Sequence, residues 1–196
     1  MVSPHVVRAV ASGVVVTRKQ ADETPALDAL TGAEHAVVLT ELLAAHPQLR
    51  PEAEQFARNQ LRAITINDVA DDVASALNSI ALEDLGGRVG RVRGRGYVQE
   101  TEGAWELVRE AIEPFLADVR RRSSLGLDEA AGILAAGTVA GLYLCRDPED
   151  GSVVAFAGPD SPGELADEVL TLAGDLGIEI PTEIATHYWS NWAGDY

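Results

Sequence analysis

Apolar residues return every three or four positions along much of this chain, the period of helices with one buried face. Thr31-Gly32-Ala33-Glu34 opens the first run as a capping box, a hydroxyl at the N-cap with a glutamate three residues on. Ala36, Leu39, Leu42 and Leu43 follow in helical step, and Pro47 closes the run. A second helix starts near Pro51, with Ala53, Phe56, Ala57 and Leu61 on one face. A third follows Asn67 and turns Val69, Val73, Ala76, Leu77 and Ile80 inward. Both connections are short, which predicts three neighbouring helices folded back on one another.

Five glycines in the 11 residues from Gly86 to Gly96 then interrupt the pattern, because glycine at that density does not hold a helix. The period resumes near Thr101, with Trp105, Val108, Ile112, Phe115 and Leu116 inward and Pro114 predicting a kink or a restart. A fifth helix begins near Leu127. Its segment Ala130–Cys145 is 16 uncharged residues long, with Gly137 and Gly141 in GxxxG spacing. That is short of the roughly 20 residues a membrane span needs, so the segment reads as a helix buried on all sides, its small residues admitting close neighbours. Asp147-Pro148-Glu149-Asp150-Gly151 is a turn signal. Val153–Phe156 has the look of a short strand, and a hairpin over residues 142–156 is the alternative to continued helix there. Ser161-Pro162-Gly163-Glu164 is a second capping box with proline at N1, and it opens a helix burying Leu165, Val169, Leu170 and Leu172. A last short helix is expected after Pro181. The expected fold is all-α, a single helical domain over residues 30–196 of about six or seven helices, preceded by a flexible or lightly packed arm at residues 1–29.

Composition narrows the class. A chain of 196 residues with 46% hydrophobic and 23% charged residues has the balance of a globular protein able to bury a core. Ala is abundant and aromatics are 5%, which suits closely packed helices. The single cysteine, Cys145, cannot form an internal disulfide or a multi-thiolate zinc site. No signal-peptide pattern stands in the apolar stretch Val10–Val16, which Ser12 and Gly13 interrupt. A cytoplasmic protein is expected. Lys19 is the only lysine, and this preference for arginine, with abundant Ala and Gly, suits a high-GC bacterial genome.

Charge is distributed unevenly. The net charge is -16, yet eight of the 15 basic residues, all Arg, lie between Arg88 and Arg122. From Asp147 to Tyr196 there are 11 acidic residues and no basic one. Such asymmetry selects partners by charge. Arg88, Arg91, Arg93 and Arg95, with Tyr97 beside them, sit on a glycine-rich loop that can offer guanidinium forks and backbone N–H groups to carboxylate or phosphate. The loop lacks the Gly-Lys-Ser/Thr of a P-loop and the third glycine of a dinucleotide fingerprint. The competing account is a solvated linker whose arginines pair with the chain's own acids. Arg120, Arg121 and Arg122 end the fourth helix, where cations complement the helix dipole. If that triplet lies near the loop, the two form one basic patch. The C-terminal segment 187–196 holds four of the ten aromatics. Trp189, Trp192 and Tyr196 there make a docking peptide or fold back to close the core.

Reaction chemistry finds little support. Asp68, Asp71 and Asp72, and likewise Glu106, Glu110 and Glu113, place carboxylates on common helix faces. Neither HExxH nor the paired Glu-x-x-His of a di-metal bundle occurs. Glu183 and His187 are a single pair. Cys145 ends an apolar helix, where a buried inert thiol is usual. No catalytic residue, metal or cofactor is assigned. The expected function is non-enzymatic: a protein-interaction module, adaptor, regulatory or chaperone-like, with charge-steered encounter followed by aromatic burial. A protein partner is expected, with a second copy of the chain as one form of it, its acidic end meeting the basic loop. Two other classes stand beside this one. They are a nucleic-acid or phosphate-ligand binder using the loop, and a small helical metal-dependent enzyme. The overall acidity opposes nucleic acid, and no membrane partner is expected.

Overall fold

Thr31 caps the first helix as its sequence predicts. Its Oγ1 accepts from the Glu34 backbone N–H at 3.4 Å, and Glu34 Oε2 accepts from the Thr31 N–H at 2.8 Å. The computed structural model describes residues 25–92, 94 and 96–181. Among these residues are eight α-helices and one antiparallel hairpin, an all-α domain structure with a short β-hairpin. The chain divides into two units, Met1–Pro51 and Glu52–Tyr196.

In the first unit a 3-10 turn, Ala26–Ala29, precedes α1 (Gly32–Ala45), which stops before Pro47. A second 3-10 turn, Pro47–Leu49, leads into α2 (Arg50–Arg62). The apolar positions expected to face inward on these helices do not. No residue of α1 or α2 is buried, and Leu39, Leu42 and Phe56 are 50%, 44% and 64% exposed. The core closes without them.

That core lies in the second unit, where α3 (Ile66–Asn78), α5 (Glu100–Ser124), α6 (Asp128–Leu144), α7 (Val153–Ala157) and α8 (Ser161–Asp175) pack together. α4 (Leu82–Gly86) and the strands β1 (Gly90–Val92) and β2 (Gly96–Val98) connect α3 to α5. α6 is at the centre, with Ala130–Gly132 and Leu134–Leu142 buried. Its Gly137 and Gly141 face α3. A β-carbon at Gly137 would come 2.5 Å from Val69 Cβ, and one at Gly141 would come 2.6 Å from Val73 Cβ and 2.7 Å from Ala70 O. The small residues therefore set how closely the two helices approach. No helix among the described residues is long and apolar enough to cross a membrane.

α5 runs unbroken through Pro114, with no restart. Val153–Phe156 is helix rather than strand, so no hairpin forms over residues 142–156. Ser152 Oγ accepts from the Ala155 N–H at 3.2 Å and caps α7, which packs on α5. The hairpin lies instead within the glycine–arginine segment, with Gly90 opposite Val98, Arg91 opposite Tyr97 and Val92 opposite Gly96. The capping box expected at Ser161 is also not made. α8 starts one residue earlier than its pattern suggests, which makes Asp160 the N-cap and leaves the buried Ser161 Oγ without a partner. The short helix expected after Pro181 falls outside the described residues.

The glycine seam has a direct test. Alanine in a helix interior normally gains about 0.5–1 kcal/mol over glycine, and Gly174 on α8 has open space where its β-carbon would stand. Gly174→Ala is expected to raise the unfolding free energy measured in urea by that amount. Gly141→Ala is expected to lower it by about 1–3 kcal/mol through overpacking. Equal effects at the two positions would remove the seam from the account.

Candidate functional site

The glycine–arginine segment becomes a supported hairpin because each glycine does local work. Gly90, Gly94 and Gly96 have φ of 81°, 87° and 88°, in the left-handed region that other residues rarely enter. A two-stranded ladder of this length is not stable alone in water, and side chains hold its base. Arg88 forms a two-armed pair with Glu110, both contacts at 2.6 Å, and its Nη1 lies 3.9 Å from Glu106. Val89 and Leu85 close over Gly103 of α5, where a β-carbon would come 2.9 Å from Val89 Cγ1. Val98 is 2% exposed and is the inward residue of β2. Alternation along the strand then turns Tyr97 outward, 76% exposed, with the exposed Arg91 as its cross-strand neighbour.

The candidate arginines therefore separate by role. Arg88 is an anchor of the hairpin. Arg91 is presented together with Tyr97, and no ion pair to it occurs among the described residues. Arg93 and Arg95, between the strands, lie outside the described residues.

Arg120, Arg121 and Arg122 are held within the protein. Arg120 Nη1 bonds Glu113 Oε1 at 2.9 Å, two turns back along α5. Arg121 Nε bonds Asp118 Oδ1 at 2.7 Å. Arg122 bonds Asp118 Oδ2 through Nε at 3.0 Å and the Leu61 carbonyl through Nη1, with a side chain only 8% exposed. Arg88 and Arg120 close on the acidic row Glu106, Glu110 and Glu113 of α5, and Arg109 reaches Glu168 of α8 at 2.8 Å. A cation absent from the sequence-based set, Arg58 of α2, donates to the Leu125 carbonyl at the C-terminal end of α5, at 3.3 Å. Only the tertiary fold brings those residues together, across 67 positions.

Four of the six helix-face carboxylates considered for metal have partners within the fold. Glu106 and Glu110 face Arg88, Glu113 takes Arg120, and Asp68 accepts from Thr65 Oγ1 at 2.7 Å. Among the described residues no group of three or more His, Cys, Asp or Glu is placed to hold a metal ion. Cys145 is buried, and burial pushes its thiol above the ordinary range, disfavouring the thiolate. Trp189, Trp192 and Tyr196, as well as Glu183 and His187, lie outside the described residues. No family model, curated protein or solved structure matches the chain.

The Arg88 hydrogen bonds hold the Glu110 carboxyl below the usual glutamate range. Its depressed value means the link is intact above the ordinary glutamate pKa, about 4.3, and is lost as pH falls through the lower native value. In carboxyl-detected NMR titrations, Glu110 is expected to titrate below the ordinary glutamate value. In Arg88→Ala it is expected to rise back toward that value, with the hairpin amides losing protection. A normal Glu110 in the wild type would contradict the anchor. A second expectation concerns Cys145: its reaction with a disulfide reagent at pH 8 should be slow in the native protein and accelerate at least tenfold in denaturing urea, since a free thiol has a pKa near 8.5.

Proposed function

We infer that this chain is a non-enzymatic protein-interaction module, and that it receives an acidic partner protein on the outward face of the β1–β2 hairpin. The observation that carries the reading is the exposed Arg91–Tyr97 pair on a hairpin fixed at its base by Arg88, Val89 and Val98. An aromatic ring buries a large area at little conformational cost, and an adjacent guanidinium steers an acidic surface and then bonds it. Internal pairing of the other described arginines along α5 supports the same reading, because it leaves the strongly acidic molecule with a local positive face. An adaptor, regulatory or chaperone-like role in a bacterial cytoplasm suits such a module. A second copy is a partner of the right chemistry, since its Asp147–Tyr196 segment carries 11 acids and no base.

Arg91→Ala with Tyr97→Ala is the variant that tests this, because neither side chain anchors the fold. Material co-purifying from the native cells is identified by mass spectrometry for the wild type and for this variant. A protein retained by the wild type, lost from the variant and released by moderate salt is the expected result. Nucleic acid or a phosphorylated metabolite retained through the same two residues would replace the reading with the phosphate-binding one. A partner retained equally by both forms would remove the hairpin from the function. The unfolding free energy of the variant is expected to stay within about 0.5 kcal/mol of wild type, as for surface substitutions generally.

A further inference from the structure

A second feature, apart from the hairpin, is a cleft of about 470 Å³ beside the C-terminal half of α5. That volume is within the ~300–1,000 Å³ range of small-molecule sites. Ile64, Val69, Phe115 and Leu134 give it apolar walls, and Pro114 and Ala117 belong to the same lining. Its ionised lining groups are Asp72, Asp118, Arg121 and Arg122.

Arg122 is the unusual one. It is more than nine-tenths buried, and two contacts fix its orientation, Nε on Asp118 Oδ2 and Nη1 on the Leu61 carbonyl. Its Nη2 has no hydrogen-bond partner among the described residues, although a buried guanidinium ordinarily satisfies its donors. Nor is Nη2 sealed from solvent, since the buried side-chain polar atom left unpartnered among the described residues is Ser161 Oγ. Arg122 is itself one of the residues that line the cleft.

We propose that this cleft binds a small amphiphilic monoanion, a carboxylate on a hydrocarbon or aromatic body, with the carboxylate on Arg122 Nη2 and the body against Ile64, Val69, Phe115 and Leu134. The charge count selects one negative charge rather than two. Asp118 is shared between Arg121 and Arg122, which leaves a single net positive charge on that group of three. Asp72 is exposed on α3 and repels a second charge. A pre-oriented guanidinium in apolar surroundings forms a charge-assisted bond stronger than one in water. The site involves no residue of the hairpin and is independent of the function read from it.

Octanoate is the probe, titrated into the full chain by calorimetry, with 1-octanol and octyl phosphate as controls. Octanoate is expected to bind, and octanol, which lacks the charge, about tenfold more weakly or worse. Octyl phosphate, as a dianion, is expected to bind more weakly than octanoate. Arg122→Ala removes the link to Leu61 and can fail to fold, so two exposed positions carry the test. Ala117→Trp fills the cleft and is expected to lower octanoate affinity about tenfold or more at unchanged urea midpoint. Asp72→Asn removes the opposing charge and is expected to tighten binding on the order of threefold. Arg91→Ala with Tyr97→Ala is expected to leave octanoate affinity unchanged. The proposal is overturned if octanoate does not bind at millimolar concentration, or if octanol or octyl phosphate binds equally well. It is also overturned if Ala117→Trp has no effect, or if Asp72→Asn fails to tighten binding.

Discussion

Where Gly137 and Gly141 of α6 meet Val69 and Val73 of α3, there is no room for a methyl group. A helix can come this close only when its contact positions carry hydrogen, and one helical turn between the two glycines puts both on the same face. This contact holds α6 at the centre with its two glycines turned to α3. The remaining sides of α6 are covered by α5 and α8, which is why nearly its whole length is buried. Gly132 makes a similar approach at the other end of α6, toward the Glu179 carbonyl. Packing at this density determines where α5 lies, and α5 in turn carries both the hairpin at its start and the cleft beside its end.

A net charge of -16 constrains the arginines as strongly as packing constrains the glycines. Surrounded by excess carboxylate, most arginines in the middle of the chain find acidic partners within the fold. Individually, exposed pairs of this kind contribute little to stability. Their effect is positional: Arg88 orients the hairpin base, and Asp118 holds Arg121 and Arg122 side by side. Arg91 differs because alternation along β1 directs it away from α5, beside Tyr97. Among the described arginines from Arg88 to Arg122, those that pair within the fold are therefore separated from Arg91, which is offered outward, although all carry the same side chain.

Much of this fold was legible from the chain. The capping box at Thr31, the buried face of α3 and the all-round burial of α6 follow from local chemistry and period, which tertiary packing reinforced. The Val153–Phe156 stretch was not legible, because Val-Val-Ala-Phe favours a strand locally. Ser152 at the N-cap and burial against α5 outweighed that preference. Glycine is a poor strand former, so the segment from Gly86 to Gly96 read as a loop. The ladder forms there because Arg88 and Val89 reach α5, and a linear pattern does not reveal those contacts. The exposure of α1 and α2 was hidden for the opposite reason, since an apolar period shows that a helix has a face to cover without showing what covers it. For the site, residue type marked the arginines as candidates. Which were anchors depended on partners as distant as the 61 positions between Arg122 and Leu61.

The division between anchoring and presented arginines is the claim on which the functional account rests, and guanidinium ¹H–¹⁵N NMR on the native chain tests it most directly. Side chains gripped on two sides rotate slowly about their Cζ–N bonds and shield their protons from water. The account predicts hindered rotation and slow exchange at Arg88 and Arg122, with free rotation and fast exchange at Arg91. Arg88 rotating as freely as Arg91 would contradict it, because the hairpin would then lack the anchor that makes it a presented surface.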